Sequence, residues 1–314
     1  MTIAMGVDVG GTKIAAGLVD ESGHILERTR VETPATDVSQ IAEAIGGACR
    51  ELASCHSVDA IGIGAAGFVD AKRENVVFSA NLAWREEPLA RRVAEATGVD
   101  HVVVENDANA AAWGEFRFGA ATNVPSAVVV TIGTGVGGGI ILDGELLRGR
   151  NGFAAEIGHM SMVPGGLRCG CGERGCWEQY ASGRALVRVA REAAEKAPVA
   201  AEKMLDLAGG KIENITGPIV TQAAQAGDEM ALDCFNEVAC WIGQGLADLS
   251  TLLDPDMFVL AGGVSEAGEL LREPVERCFN DKLSARSLRT PSPIVTATLG
   301  NDAGLIGAAD LARR

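Results

Sequence analysis

At 314 residues, with 47% hydrophobic and 22% charged side chains, the chain is long enough for about two domains, each with its own core. Its net charge of -15 and pI of 4.8 exclude a nonspecific grip on nucleic acid or on an anionic membrane. Aromatics are scarce at 4% while glycines number 40, which favours close backbone approach to a ligand over stacking surfaces.

The opening "MTIAMGVDVGG" lacks the basic and long apolar regions of a secretion signal, so a cytoplasmic chain is expected. No run approaches the roughly 18 apolar residues of a membrane span. "TIAMGVDVGG" reads as a strand entering a glycine turn, and "KIAAGLVDESGHILERTRVETP" as a hairpin-like pair with "DESG" at its bend. Ile41, Ile45, Ala48 and Leu52 give residues 37–54 a helical spacing. "DAIGIGAAGFVD" is a buried strand ending in glycines, with "VVFSANLAW" after it. "PLARRVAEATG" is a helix stopped by Gly98, "HVVVEND" a strand, and "ANAAAWGEFRFG" a helix of small residues. This alternation predicts an α/β domain over residues 1–119.

From "SAVVVTIGTGVGGGIILDGELLRG" the strand, glycine turn, strand layout starts again. A cysteine-rich insert at 156–179 follows, then helices at about 182–197, 218–226 and 228–253. "MFVLAGGVSEAGELL" reads as strand, Gly-Gly turn and helix, and "PIVTATLGNDAGLIGAADLAR" as a closing strand and helix. Residues 120–301 are expected as a larger second α/β domain, with the helix at about 302–314 packing back on the first. Two halves that open alike suggest duplicated domains facing a cleft.

Three turns carry candidate chemistry. "DVGGTK" places Asp8, backbone N–H groups, Thr12 and Lys13 together, "TIGTGVGGG" offers Thr134 with little bulk, and "LAGGVS" is read as opening a helix whose N-terminus suits an anion or a ribose. Each alone could be an ordinary tight turn, and none matches the P-loop or dinucleotide fingerprints. Their joint presence at strand ends points to a clamp for nucleotide phosphates.

Asp107 ends "HVVVEND" and starts a helix. It could be a plain N-cap, or the carboxylate that phosphoryl transfer to a hydroxyl needs at a strand end. His159, Cys169, Cys171 and Cys176 are spaced His-x9-Cys-x-Cys-x4-Cys, with glycines between the cysteines. That set suits tetrahedral zinc, with a reduced thiol cluster as the alternative. Cys49, Cys55, Cys234, Cys240 and Cys278 lie scattered in helix-like segments and are expected as small buried hydrophobes rather than a disulfide framework.

The three turns resemble the phosphate and adenosine segments of the sugar kinase/Hsp70/actin superfamily. "GAAGFVD", "ENDANAAAWGE" and "CGCGERGCWEQY" resemble the ROK family of bacterial sugar kinases and sugar-responsive repressors, over essentially the whole chain and nearest to its glucokinases. The resemblance implies two actin-like (ribonuclease H-like) α/β domains flanking an active-site cleft, closing on the sugar. It implies Asp107 as catalytic base, and Gly67, Asn81, Asn106, Asp107, Glu156, His159 and Glu178 as sugar contacts. Phosphates would meet Gly10, Gly11, Thr12 and Lys13 and, opposite, Thr134 and Gly135; adenosine would rest at Gly262 and Gly263. Mg²⁺ would travel on ATP within reach of Asp8, and His159, Cys169, Cys171 and Cys176 would hold a structural Zn²⁺.

The activity so implied is glucokinase, ATP and glucose giving glucose 6-phosphate, with another hexose or an N-acylhexosamine as alternative acceptor. Repressors of the family carry a helix-turn-helix ahead of the first turn; only seven residues precede Asp8, so a non-catalytic sensor is not expected. A homodimer or homotetramer is expected, with no nucleic acid or membrane partner.

Overall fold

The computed structural model describes residues 3–34, 36–54, 56–80 and 82–314; Asn81 and Cys55 therefore lie outside the described residues. The chain divides into two compact units. The first takes the residues up to Val129, then Gly138–Glu156 and Thr298–Arg314; the second takes Val130–Gly137 and Ile157–Ala297. The first unit thus extends past the expected boundary at 119 and claims Glu156, the first residue of the expected insert.

In chain order the first unit holds β1 (Ala4–Val9), β2 (Lys13–Val19), β3 (Ile25–Glu32), α1 (Val38–Ala53) and β4 (Ala60–Ala65). Then come β5 (Phe68–Val69), β6 (Val76–Phe78), β7 (Arg85–Glu87), α2 (Leu89–Thr97), β8 (Val102–Asn106) and α3 (Asp107–Phe118). Strands β9 (Ala127–Ile132) and β10 (Val136–Leu142) follow, with β11 (Glu145–Leu146) after them. The second unit continues with α4 (Glu178–Ala181), α5 (Gly183–Lys196), α6 (Glu202–Leu207), α7 (Gly217–Gln225) and α8 (Glu229–Leu253). It ends with β12 (Met257–Ala261), α9 (Glu269–Lys282) and β13 (Ile294–Thr296), and the chain closes with α10 (Ala303–Ala312).

One sheet runs β3-β2-β1-β4-β8 and another β11-β10-β9-β12-β13. The two orders are the same when each set is numbered along the chain, so the duplication legible in the glycine turns extends to topology. In the first sheet β1, β4 and β8 are parallel and in register, Val9 opposite Ala65 and Ala65 opposite Asn106, so three strands end at one edge. That edge, at the carboxyl ends of parallel strands, is where open α/β sheets present ligand groups.

The core of the first unit explains its glycines. Met5, Val7, Val9, Ile61, Ile63 and Val104 pack with Ile41 and Ile45 of α1. On β1 and β4, paired Gly6 and Gly62 face α10. A Cβ at Gly6 would fall 1.9 Å from the Leu305 carbonyl oxygen, and one at Gly62 1.8 Å from that of Ala308. Helix α10, expected to pack back on this domain, lies directly on β1, β4 and α3. The small residues of "ANAAAWGE" let α3 and α10 approach closely. Asp310 is buried beneath, where it accepts from Trp113 Nε1 at 2.8 Å and Arg117 Nε at 3.2 Å.

In the second unit α8 packs against α4, α5, α7 and α9. Trp177 is wholly buried beside it, donating Nε1–H to the Trp241 carbonyl at 2.7 Å. Two expectations need correction. Cys240 and Cys278, read as separate thiols, form a disulfide with their Cα atoms 5.1 Å apart, because α8 and α9 pack face to face across a sequence separation of 38. "LAGGVS" opens no long helix: Ser265–Ala267 is a single 3₁₀ turn, and α9 starts at Glu269 after Gly268 turns at φ 62°. Cys49 and Cys234 remain buried free thiols, each pushed up to about 12 by burial, as small core hydrophobes should be. No described helix is long and apolar enough to cross a membrane.

Candidate active site

In the first unit, the β1–β2 connection forms a tight turn. Gly10 N–H donates to the Lys13 carbonyl at 3.0 Å, and Thr33 anchors it from β3's end, donating its hydroxyl to the Gly10 carbonyl at 2.8 Å and its N–H to that of Thr12 at 3.1 Å. Gly11, Thr12 and Lys13 are exposed at its tip, and Asp8 is half-buried at its base.

Asp107 starts α3 at the end of β8, two strands from β1. Asn106, not Asp107, caps the helix: its Oδ1 accepts from Asn109 N–H at 3.0 Å. The simple N-cap alternative for Asp107 is thereby removed. Its Oδ1 accepts from the neighbouring Ala108 N–H at 2.9 Å, and its own backbone N–H also favours the carboxylate. Burial, with the Asp8 carboxylate adding to it, pushes Asp107 up to about 6. Asp8 is itself raised by burial, against the pull of the Lys13 ammonium. Asn106 also ties to Gly67, donating Nδ2–H to its carbonyl at 3.1 Å, which leaves one amide hydrogen without an acceptor among the described residues. Gly67 is pressed close to β6, where a Cβ would lie 2.5 Å from the Phe78 carbonyl oxygen.

In the second unit, Gly133, Thr134 and Gly135 form the turn between β9 and β10, closed by Gly133 N–H donating to the Gly135 carbonyl at 3.0 Å. The Glu178 carboxylate leans over it: a Cβ on Gly135 would fall 2.4 Å from Glu178 Oε2. Arg184 at the start of α5 donates Nε–H to the Thr134 carbonyl at 2.8 Å and stands 3.8 Å from Glu178 Oε2. A cavity of about 1060 Å³ opens beside this turn. Gly133, Thr134, Gly183, Arg188, Gln222 and Gly263 line it, in a wall that mixes apolar surface with arginines and glutamates, a volume that can take a nucleoside. Gly262 stands behind, bent at φ 84° with the Ile132 carbonyl too close for any side chain. Sequence reading missed Arg184, Arg188 and Gln222. The Gly-Arg pair opening "GRAL" was visible, but helix spacing alone did not say which face meets a ligand.

The cysteine loop also belongs to the second unit. The donor atoms of His159, Cys169, Cys171 and Cys176 lie within 4.8 Å of one another. Cys169 Sγ is 3.6 Å from His159 Nδ1, and the Sγ atoms of Cys171 and Cys176 are 3.6 Å apart. Three sulfurs and one imidazole fit a tetrahedral zinc donor set, with Nδ1 as the ligating nitrogen. Burial raises the thiols of Cys169 and Cys176, so loading a metal would release protons. Glu178 Oε1 accepts from Cys169 at 3.0 Å and from Gln179 Nε2 at 3.1 Å, which locks that carboxylate to the loop. Glu156, three residues before the histidine, belongs to the first unit and follows Ala155 at φ 68°.

With this geometry established, likeness to known proteins becomes informative. The family model described as "ROK family" matches residues 4–314. A glucokinase of Streptomyces coelicolor is 49% identical over 313 residues, covering 100% of this chain and 98% of its own. An N-acetylmannosamine kinase of Yersinia pseudotuberculosis is 35% identical, with 98% of each chain covered. Among solved structures, a ROK family glucokinase from Streptomyces griseus, in complex with glucose and AMPPNP, is 51% identical with a TM-score of 0.90 and 99% of each chain covered. The fold is the actin-like α/β architecture of sugar kinases, and the chain belongs to the ROK family.

Proposed function

We propose that this chain is a glucokinase: it transfers the γ-phosphoryl group of ATP to the 6-hydroxyl of glucose, giving glucose 6-phosphate and ADP. The observation that carries the reading is Asp107. It is a carboxylate freed from capping, raised to about 6, and held at a strand end in a chain of this family. Glucose O6 attacks the γ-phosphorus, the bond to the β,γ-bridging oxygen breaks with its electron pair leaving on ADP, and the O6 proton passes to Asp107. The transition state is loose and the proton moves late, so orientation of the hydroxyl matters more than basicity. At neutral pH a group near 6 is ionised yet more basic than an ordinary carboxylate.

The other roles form part of the same proposal. Gly67, Asn81, Asn106, Glu156, His159 and Glu178 bond the sugar hydroxyls, with His159 offering Nε2 once Nδ1 faces the thiols. Gly10, Gly11, Thr12 and Lys13 contact phosphates, as do Thr134 and Gly135. Adenosine occupies the second-unit cavity beside Gly263 and Gly262. Mg²⁺, carried by ATP within reach of Asp8, neutralises phosphate charge when bound. Zn²⁺ on His159, Cys169, Cys171 and Cys176 would be structural, since four protein donors fill a tetrahedron and leave no place for water. A cytoplasmic location and a homodimeric or homotetrameric state complete the proposal, the latter checked by light scattering.

ADP release with Mg-ATP is the test, run across glucose, mannose and N-acetylmannosamine. Glucose should give the highest kcat/KM. Release only with N-acetylmannosamine would transfer the assignment to the second kind of relative, and no release with any sugar would end it.

A further inference from the structure

Glu105, the residue before Asn106 and Asp107, is 3% exposed and has no part in the reaction outlined above. Its Oε1 accepts from Asn106 N–H and from Asn109 Nδ2, each at 3.1 Å. Its Oε2 accepts from Arg148 Nε at 2.7 Å, and Arg73 Nε stands 3.7 Å away. A buried carboxylate with this many donors is held in one geometry, and so are the groups bonded to it.

Arg148 opens the segment that ends at Glu156. The segment is closed by one internal bond and held against β5 at two further points. Ala154 N–H donates to the Arg148 carbonyl at 3.0 Å. Gly152, at φ 90°, lies so close to β5 that a Cβ would be 2.3 Å from the Val69 carbonyl oxygen. The Phe153 ring meets Phe68 edge-on with centroids 5.3 Å apart. Phe68 follows Gly67, whose carbonyl accepts from Asn106. The contacts therefore close a ring: Asn106 to Gly67, Phe68 to Phe153, Arg148 to Glu105, and Glu105 back to Asn106. Ala155 at φ 68°, a left-handed conformation that a non-glycine residue adopts at a cost, joins this ring to Glu156.

We propose that Glu105 and Arg148 are positioning residues: their partly buried ion pair fixes the Glu156 segment against the Asn106–Asp107 junction, so that these hexose ligands keep one spacing. This rests on the reading above that Asn106, Asp107 and Glu156 meet the sugar. Neither residue touches substrate. Their effect passes through the glucose contacts alone, because no group in the ring lines the second-unit cavity.

The test uses the full chain, zinc-loaded, with Arg148→Met, Arg148→Lys, Glu105→Gln and the double variant Glu105→Gln/Arg148→Met. A small misplacement of binding groups can cost about a hundredfold, so Arg148→Met should raise the KM for glucose about tenfold or more and lower kcat. The KM for ATP should stay within about twofold, and zinc content should not change. Arg148→Lys keeps the charge but loses the planar Nε contact, and should recover part of the loss. The double variant should be little worse than the worse single, as expected of residues acting as a unit.

Should Arg148→Met not fold, Arg148→Lys and Glu105→Gln carry the measurement; a merely structural pair would lower the unfolding midpoint and leave the glucose KM of the folded protein unchanged, overturning the proposal. Multiplying single effects in the double variant would also overturn it. Asp107→Asn run alongside separates the two levels. If Asp107→Asn abolishes turnover while the Arg148 and Glu105 variants match wild type, only the positioning role fails. If Asp107→Asn keeps full turnover, the reading of the site fails and the positioning role with it.

Discussion

The Asn106–Asp107 junction and the cysteine loop at 159–176 both hold polar side chains still, with different materials. At the junction the order is built by the protein: three parallel strands end in register, Asn106 caps α3, and buried Glu105 gathers donors from both sides. The cysteine loop has no sheet and no long helix of its own, only turns and short bridges. Its strand-like pairing is two isolated bridges, Ser161 with Cys176 and Arg168 with Arg174, and its backbone is closed by turn bonds such as Met162 N–H to the Gly175 carbonyl at 2.8 Å and Cys169 N–H to the Glu173 carbonyl at 2.9 Å, while much of 165–174 is exposed. On this backbone sit four side chains whose donor atoms, within 4.8 Å of one another, suit a metal. The junction should be unaffected by chelation, whereas the side chains that a metal would tie together should loosen on their backbone.

The largest expected effect tests the first half of that contrast. Asp107→Asn should lower kcat about 10³-fold, within the span usual for loss of a general base, while zinc content by atomic emission and glucose affinity by calorimetry stay near wild type. Loss of zinc in this variant would mean the two regions are not ordered separately. Next is Cys171→Ser, or dialysis against a chelator. Zinc should leave, and the KM for glucose should rise about 10- to 100-fold as His159 loses its support. Unchanged glucose kinetics in zinc-free protein would show that the loop orders itself without metal.

The pH profile is a smaller lever. Asp107 must be ionised to accept a proton, and its folded value of about 6 lies above the ordinary carboxylate range. The protonated, inactive form therefore gains as pH falls through 6, and kcat/KM should drop about tenfold for each further unit. Since the Asp8 carboxylate contributes to the rise, Asp8→Asn should move the acid limb of its residual activity to lower pH. A limb unmoved by Asp8→Asn would assign the elevation to burial alone. The smallest effect lies outside both regions. Asp37 caps α1, accepting from Ser39 and Gln40 N–H groups, and Asp37→Ala should cost about 1 kcal/mol in urea unfolding with kcat unaltered.

Much of this was legible beforehand, unevenly. Strand, glycine turn and strand could be read at residues 3–19 and 127–142 because each depends on neighbours a few positions apart. The expected helix at 228–253 matches α8, Glu229–Leu253, because a long amphipathic period is a strong signal. The donor spacing around Cys169 likewise announced its cluster. Reading failed where a local pattern had two outcomes: "LAGGVS" could open a helix or a 3₁₀ turn, and Gly268 decided for the turn. Asp107 could be a plain N-cap or a reactive carboxylate on position alone, and the capping bond from Asn109 went to Asn106 instead.

The sequence by itself therefore determined the elements, the turns at their ends and the set of metal donors, since periodicity and spacing act over short stretches of chain. Only the tertiary structure decided what those residues experience. The Asp8 carboxylate raises Asp107 from across the sheet, Arg148 reaches Glu105 over 43 positions, and Cys240 meets Cys278 across a helix pair. Burial and charge depend on which distant segments come together, and no local pattern of residues encodes that.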